Sequence, residues 1–387
     1  MDLAPSEERD ELRRTIRSFL AATSPETEVR RLMETPDGYD RTLWPRLATE
    51  LGLTGLAVPE EYGGSGATFG EVGVVLEEMG RALMCAPYFA TVVLAASALT
   101  HLDDDAARKD YLPGIAAGDI VATVALPEVP APRTPSGAAV TASRVGAGWE
   151  LSGTAMFVLD GQVADLLLVP ALPAGAAEGS GGGAGEVSLF AVDGAAPGLR
   201  RTAMRTLDLT RRQARLDLTS VSARLVGPEG GAGPTLEHLG HLAAVGLACE
   251  QVGGAARVLD MAVEYARVRV QFGRPIGQFQ AIKHRCAEMA LELDAARSAL
   301  AFGLWAAERS DRELPVAAAI AKVRCSDCFS FAAAENIQVH GGIGFTWEHP
   351  AHLYFRRATS SAVMFGDPVH HRESLMSRVA DQTPAPA

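Results

Sequence analysis

Apolar positions in the first 118 residues recur at helical spacing. In SEERDELRRTIRSFL (6–20), Leu12, Ile16, Phe19 and Leu20 share a face, Ser6 stands ahead of them as an N-cap, and acidic residues fill the first turn. A second helix is predicted over TLWPRLATELGL, stopping at Gly52. VPEEYGGSGAT is a Pro/Gly-punctuated loop, after which FGEVGVVLEEMGRAL and YFATVVLAASALTHL resume the helical pattern. From about residue 119 to 228 the period shortens. IVATVAL, AAVTASRV, WELSGTAMFVL, DLLLVPA, VSLFAVD and QARLDLTSV are β-rich runs split by Gly, Pro and Asp turns, which predicts an antiparallel sheet or small barrel. The run PAGAAEGSGGGAGE (173–186) reads as a flexible, disordered hairpin loop, and no helix follows its glycines to make a phosphate loop. Beyond residue 229 the pattern is helical again. TLEHLGHLAAVGLACEQVGGAARVLDMAVEYARVR holds no proline over more than thirty residues, enough for a helix of about 50 Å. Two further long segments and a last helix complete a four-helix bundle. The expected fold is multidomain α+β: a helical domain at 1–118, a middle antiparallel β domain at 119–228 and a helical bundle at 229–387.

A chain of 387 residues exceeds one core, consistent with that division. A formal charge of −12 argues against a nucleic-acid partner. No uninterrupted apolar run reaches bilayer length and the acidic start lacks a secretory signal, so a cytoplasmic protein with no membrane span is expected. Cys85, Cys249, Cys286, Cys325 and Cys328 are scattered, and the lone C-x-x-C at 325–328 falls in a helical segment, which suits structural thiols.

Two clusters carry candidate chemistry. In VRVQFGRPIGQFQAIKH, Arg269 and Arg274 flank Phe272 and Gly273 where the long helix must end. Guanidiniums beside exposed backbone suit a diphosphate, and Phe272 could stack on a base; a helix terminus capped by cations fits the residues equally well. In IQVHGGIGFTWEHP (337–350), Gln338 offers an amide near a helix end, and Gly341, Gly342 and Gly344 let the backbone turn sharply. Unaided, a glycine C-cap is the simpler reading there. No metal site is expected: Pro350 separates Glu348 and His349 from His352, and the adjacent His370 and His371 point apart.

These blocks carry a family resemblance. ELGLTGLAVPEEYGGSG with VLEEMGRAL, LSGTAMFVLDGQVADLLLVPA, VRVQFGRPIGQFQAIKH and QVHGGIGFTWEHPAHLYFRRA, in that order and nearly end to end, resemble the acyl-CoA dehydrogenases, flavoproteins that desaturate acyl-CoA thioesters at Cα–Cβ. The resemblance implies FAD between the middle domain and the bundle of a tetramer, with a neighbouring subunit reaching its diphosphate and adenine. It assigns that reach to Arg269, Phe272, Gln338 and Gly342. It also implies α-proton abstraction by a carboxylate, hydride transfer to flavin N5, and an electron acceptor such as an electron-transfer flavoprotein.

Three positions depart from the family pattern. The base glutamate expected some 25 residues after His340 is absent: Phe365 stands there, with Gly366 kept and Asp367 two residues on. An alternative base position on the first bundle helix is Ala243, but Glu250 lies two turns further along the same face among small and apolar residues. The resemblance to actinobacterial-type members acting on bulky acyl groups makes Glu250 the candidate base, a desolvated carboxylate with a raised pKa. In the middle domain Phe157 replaces a tryptophan, and on the first bundle helix Ala244 stands where an arginine often anchors the CoA end in the family. The bundle half of the flavin site is thus kept and the middle-domain half eroded. An alternative follows: a partner subunit of an α2β2 heterotetramer that lends FAD contacts without a complete site of its own.

Overall fold

The computed structural model describes residues 6–126, 140–174 and 187–382, so most of the glycine-rich run at 173–186 lies outside the described residues. Packing groups the chain into two compact units. One holds residues 31–68 and 85–243, the other 1–30, 69–84 and 244–387.

In the first unit, α3 (Leu43–Thr49), a π-helical stretch (Phe89–Ala96) continuing as α5 (Ser97–His101), and α6 (Asp105–Ala116) accompany a seven-stranded sheet. The strands are β1 (Ala122–Val124), β2 (Val140–Val145), β3 (Gly148–Leu159), β4 (Leu166–Pro173), β5 (Ser188–Asp193), β6 (Leu199–Ala203) and β7 (Gln213–Val226). Pairing runs β4–β2–β3–β7–β5 and returns to β4, closing a small barrel, with β1 added on β4 and β6 on β7. Most pairs are antiparallel, as expected, but β1–β4 and β2–β4 are parallel. Alternate residues such as Ala214, Leu216 and Leu218 of β7 fill the interior with Leu151, Leu167, Val169 and Phe190. Burying one face of each strand fixes its register.

The second unit contains α1 (Glu7–Thr23), α4 (Phe69–Ala82), α8 (Gln280–Arg309), α9 (Leu314–His340), α10 (Ala351–Val363) and α11 (Pro368–Gln382). Ser6 caps α1, accepting from the amide of Arg9 at 3.2 Å. The short α2 (Glu26–Met33) has no counterpart in the sequence reading and straddles the division between units. So does α7 (Gly233–Val268), whose 36 residues span about 54 Å.

Helix α9 is central, buried on several faces and packed by α7, α8, α10 and α11. Gln251 meets Ser326, Gly254 meets Phe329 and Tyr265 meets His340, each at the same 75-residue offset, so α7 and α9 run parallel. The pairs Arg285–Glu335, Ala296–Cys325 and Gly303–Ala321 run in opposite order, so α8 is antiparallel to α9. The expected bundle forms from α7, α8, α9 and α10. Across it α4 presses backbone to backbone on α7: a Cβ on Gly253 would lie 1.8 Å from the Glu77 carbonyl oxygen, and one on Gly80 2.2 Å from that of Glu250. By length and composition α7 could cross a membrane, but 89% of its most apolar window is buried in the protein, as befits a core helix.

Candidate active site

Helix α7 ends at Val268, and the chain folds into a two-residue hairpin of β8 (Val270–Gln271) and β9 (Arg274–Pro275). Its central residues, Phe272 and Gly273, have φ of 51° and 77°. A two-residue hairpin of type I′ demands positive φ at both, which glycine adopts freely and phenylalanine at a cost. Even so, the Phe272 side chain is spent on no core: the residue is 91% exposed. A strained, exposed aromatic points to a contact outside the chain.

The two arginines of the elbow differ. The Arg274 guanidinium lies over the Phe279 ring at 4.3 Å. Arg269 is held through its backbone, its amide donating to Tyr265 O at 2.9 Å and its carbonyl accepting from the Ile276 amide at 2.8 Å. Among the described residues its exposed guanidinium meets no carboxylate.

The glycine turn sits at the same end of the bundle, because Tyr265 near the end of α7 stacks on His340 at the end of α9, centroids 4.3 Å apart. Gly341 closes α9, its amide donating to Gln338 O and Ile337 O. The glycine C-cap and the ligand-binding reading therefore coexist: the cap uses the backbone of Gln338 and leaves its side chain exposed. At Gly342 a Cβ would meet nothing within 4 Å, so that face of the backbone is open. Phe345 and Trp347 are 83% and 57% exposed beside it. One end of the bundle thus offers a guanidinium, an amide, an open glycine backbone and an exposed aromatic ring whose ring neighbour is Phe279, edge-on at 6.0 Å. That donor set fits a diphosphate and a planar ring.

Glu250 lies 19 residues before Arg269 on α7, about 28 Å along the axis. Candidate base and elbow therefore cannot touch the same part of one ligand. Glu250 is 7% exposed, as the small residues around it suggested, but it is not solitary. The Arg357 guanidinium on α10, itself buried, approaches its carboxylate at 3.4 Å. Next to it Gln251 donates to Ser326 Oγ (3.0 Å) and Ser361 Oγ (3.1 Å), and Lys322 on α9 lies wholly buried beside both serines. The sequence reading missed Arg357, Gln251 and Lys322. The only signal for the lysine was a cation directly after the apolar run AAAIA.

Asp367 is a helix cap, its carboxylate accepting from the His370 amide at 2.8 Å at the start of α11. The preceding turn is sharp, with Phe365 and Gly366 at φ 55° and 90° and the Phe365 carbonyl held by His371 Nε2 at 2.9 Å. In the barrel unit, Phe157 has φ 55° in a bulge between Ala155 and Val158 and is 44% exposed. Bulges of this kind re-aim a side chain. A cavity of about 370 Å3 between α1, α4, α7 and α10 is lined by Ser24, Arg81, Arg257, Met261 and Tyr354, and by none of the five predicted site residues. No cluster of three metal-ligating side chains occurs among the described residues. The cysteines are free, and all but Cys286 are buried; burial pushes Cys328 up to about 12 and Cys325 higher still.

Residues 235–380 match the family model for the acyl-CoA dehydrogenase C-terminal domain, and 6–119 that for the N-terminal domain. The acyl-CoA dehydrogenase IpdE2 of Mycobacterium tuberculosis is 34% identical over 378 residues, 97% of this chain and 99% of that protein. FadE27 of the same organism is 32% identical over the whole of both chains. Among solved structures, the ChsE4–ChsE5 complex from Mycobacterium tuberculosis is 29% identical with a TM-score of 0.86, covering both chains fully. The Tcur3481–Tcur3483 steroid ACAD is 32% identical with a TM-score of 0.85, covering 97% of this chain and 98% of its own. With the architecture, the elbow and the glycine turn all in place, the chain belongs to the acyl-CoA dehydrogenase family of FAD-dependent oxidoreductases.

Proposed function

We propose that the protein desaturates an acyl-CoA thioester at Cα–Cβ, with Glu250 as the base that takes the α-proton. The observation that carries this reading is a buried carboxylate on the first bundle helix, where the family's other base position, at 365, holds phenylalanine. A thioester α-proton is too weakly acidic for a carboxylate in water, so the base must act in a dry setting with the carbonyl polarised. Arg357 holds one oxygen of the Glu250 carboxylate and so helps orient it. Arg269 would neutralise the diphosphate of FAD, Gln338 and the open backbone at Gly342 would donate to it, and Phe272 would cover a ring. Bound FAD supplies the acceptor for the β-hydride.

An electron-transfer flavoprotein as reoxidant, a tetrameric assembly and a cytoplasmic setting belong to the same proposal. So does the division into 1–118, 119–228 and 229–387. It is supported by the change of element type between Ala116 and Ala122 and between Val226 and Gly233. Glu250→Gln tests the base: bleaching of the flavin by substrate at the normal rate would remove the assignment.

A second reading has its own observation. Glu250 is engaged by Arg357 inside the bundle, as a structural ion pair would be, and two structural relatives are named as pairs of unlike chains. On that reading the chain is one subunit of a heteromer and lends Arg269, Phe272, Gln338 and Gly342 to a flavin held next door. The visible spectrum of the chain purified alone decides. One FAD per chain favours the complete enzyme; flavin gained only on co-expression with a second dehydrogenase chain favours the heteromer.

A further inference from the structure

Lys322 lies in the middle of α9 with no solvent exposure. Its amine meets three acceptors: Ser326 Oγ at 3.2 Å, Ser361 O at 3.1 Å and Ala362 O at 2.9 Å. The two carbonyls belong to the last turn of α10, whose C=O groups have no partner within the helix. Ser326 Oγ also lies 3.0 Å from Gln251 Nε2 and 3.3 Å from Gln251 Oε1. Gln251 Nε2 reaches Ser361 Oγ at 3.1 Å, and that hydroxyl donates to Ala358 O at 3.1 Å. Helices α7, α9 and α10 are thereby joined by one closed set of buried polar groups.

The protons in this set can be counted. As an ammonium, Lys322 donates to all three acceptors, and Ser326 then gives its own proton to Gln251 Oε1. As a neutral amine, Lys322 keeps two N–H donors for the two carbonyls and offers a lone pair. Ser326 turns its proton towards that lone pair and can only accept from Gln251. The carbonyls of α10 are satisfied either way. What changes is Gln251, whose Oε1 loses its donor in the neutral state, and a buried acceptor without a donor is costly.

We propose that Lys322, Ser326 and Gln251 form a proton-sensitive relay that positions α7 at Glu250, with Lys322 as a positioning residue. The proposal rests on the reading of Glu250 as base. Gln251 follows Glu250 in the chain, and Arg357, which pairs with Glu250, stands one turn before Ser361 on α10. The Gln251–Ser361 and Glu250–Arg357 contacts are adjacent rungs between the same two helices, so relief of Gln251 by rotation shifts the rung beside it. Burial brings Lys322 down to about 7, against the pull of Asp367, Cys325 and Asp327, so both states are populated near neutrality. Of the other charges at this junction, Glu250 is paired with Arg357 between α7 and α10, Asp327 with Arg372 of α11 and Arg324 with Glu292 of α8, while Asp367 accepts from the His370 amide at the start of α11.

The test uses the flavin-loaded protein in whatever assembly it forms. The probe is the thioester that bleaches the flavin fastest in a panel from butyryl-CoA to palmitoyl-CoA. The wild-type bleaching rate should show a limb near pH 7. Ser326→Ala cuts the relay but leaves the lysine and its two carbonyls, so that limb should vanish with a rate loss on the order of tenfold. The melting temperature should meanwhile keep the rise between pH 7 and 10.5 that a lysine depressed from 10.5 to about 7 produces, because the unfolded chain binds the extra proton. Lys322→Met should lose both the limb and the rise. Retention of the limb in Ser326→Ala overturns the relay, as does an unchanged melting profile in Lys322→Met. Should Lys322→Met not fold, Ser326→Ala carries the test alone. Normal bleaching in Glu250→Gln would remove the base assignment while leaving the melting profiles, and so the relay itself, untouched.

Discussion

Tyr265 and His340 stack with ring centroids 4.3 Å apart, joining the last turns of α7 and α9. This contact sets the hairpin that carries Arg269 and Phe272 beside the turn that carries Gln338 and Gly342. Two motifs some seventy residues apart thereby become one surface.

Flavin retention should depend on Arg269 more than on Arg274. Losing a charge-assisted phosphate contact costs about 1.5–3 kcal/mol, so Arg269→Met should weaken FAD binding by roughly 10- to 100-fold. Arg274→Met should do less, because that guanidinium is stacked on Phe279. Fluorescence titration of each apoprotein with FAD compares them; equal losses would show that the two arginines share the role.

The Glu250–Arg357 pair separates catalysis from support. Removing one partner takes an ionic contact from the other inside the protein, so Glu250→Gln and Arg357→Met should each destabilise, by at most about 3–5 kcal/mol. The double variant should fall short of the sum of the two. If Glu250 is the base, the double variant is less destabilised than that sum but recovers no bleaching. Bleaching at the normal rate in the double variant would leave the pair as a structural one.

Helix α7 contains glycines of opposite meaning. Gly253→Ala drives a methyl into the Glu77 carbonyl and should destabilise by about 1–3 kcal/mol. Gly240 has open space around its Cβ position, so Gly240→Ala should stabilise by about 0.5–1 kcal/mol through helix propensity alone. Urea midpoints of the two variants should move in opposite directions.

Acid should loosen the glycine turn. Burial, with His340 close by, lowers His349 to about 4, and its Nδ1 accepts from the Ala351 amide at 3.2 Å, which requires that nitrogen unprotonated. The unfolded chain takes up the proton near 6.5 and the folded one only near 4. Stability from this site is therefore complete above about 6.5 and lost as pH falls to about 4. The melting temperature of the wild type should drop across that window, and His349→Gln should flatten the drop. Equal slopes would refute the assignment.

Much of the architecture was legible in periodicity, because each helix and strand has one face to bury. Ser6 capped its helix as expected, and the β-rich runs closed into the small barrel. Short α2 was too brief to carry a periodic signal. The parallel pairings of β4 depend on which strands meet, which local pattern does not encode. At the candidate site the elbow and the glycine turn stood out, since turn chemistry is local. Partnership did not. Arg357 lies 107 residues from Glu250, Phe279 is what distinguishes Arg274 from Arg269, and Lys322 looks like any surface lysine until four helices enclose it. Asp367, two residues beyond the expected base position, caps α11, a role set by where that helix starts.

The apolar side chains around the elbow bear on how the protein must be handled and made. Val268, Phe272, Phe345 and Trp347 all stand open to water at one end of the bundle. Apolar surface of this kind is a liability until something covers it. On the heteromer reading, a chain produced in excess of its partner keeps that surface uncovered and should be prone to aggregation. Matched synthesis of the two chains would then be a condition of yield.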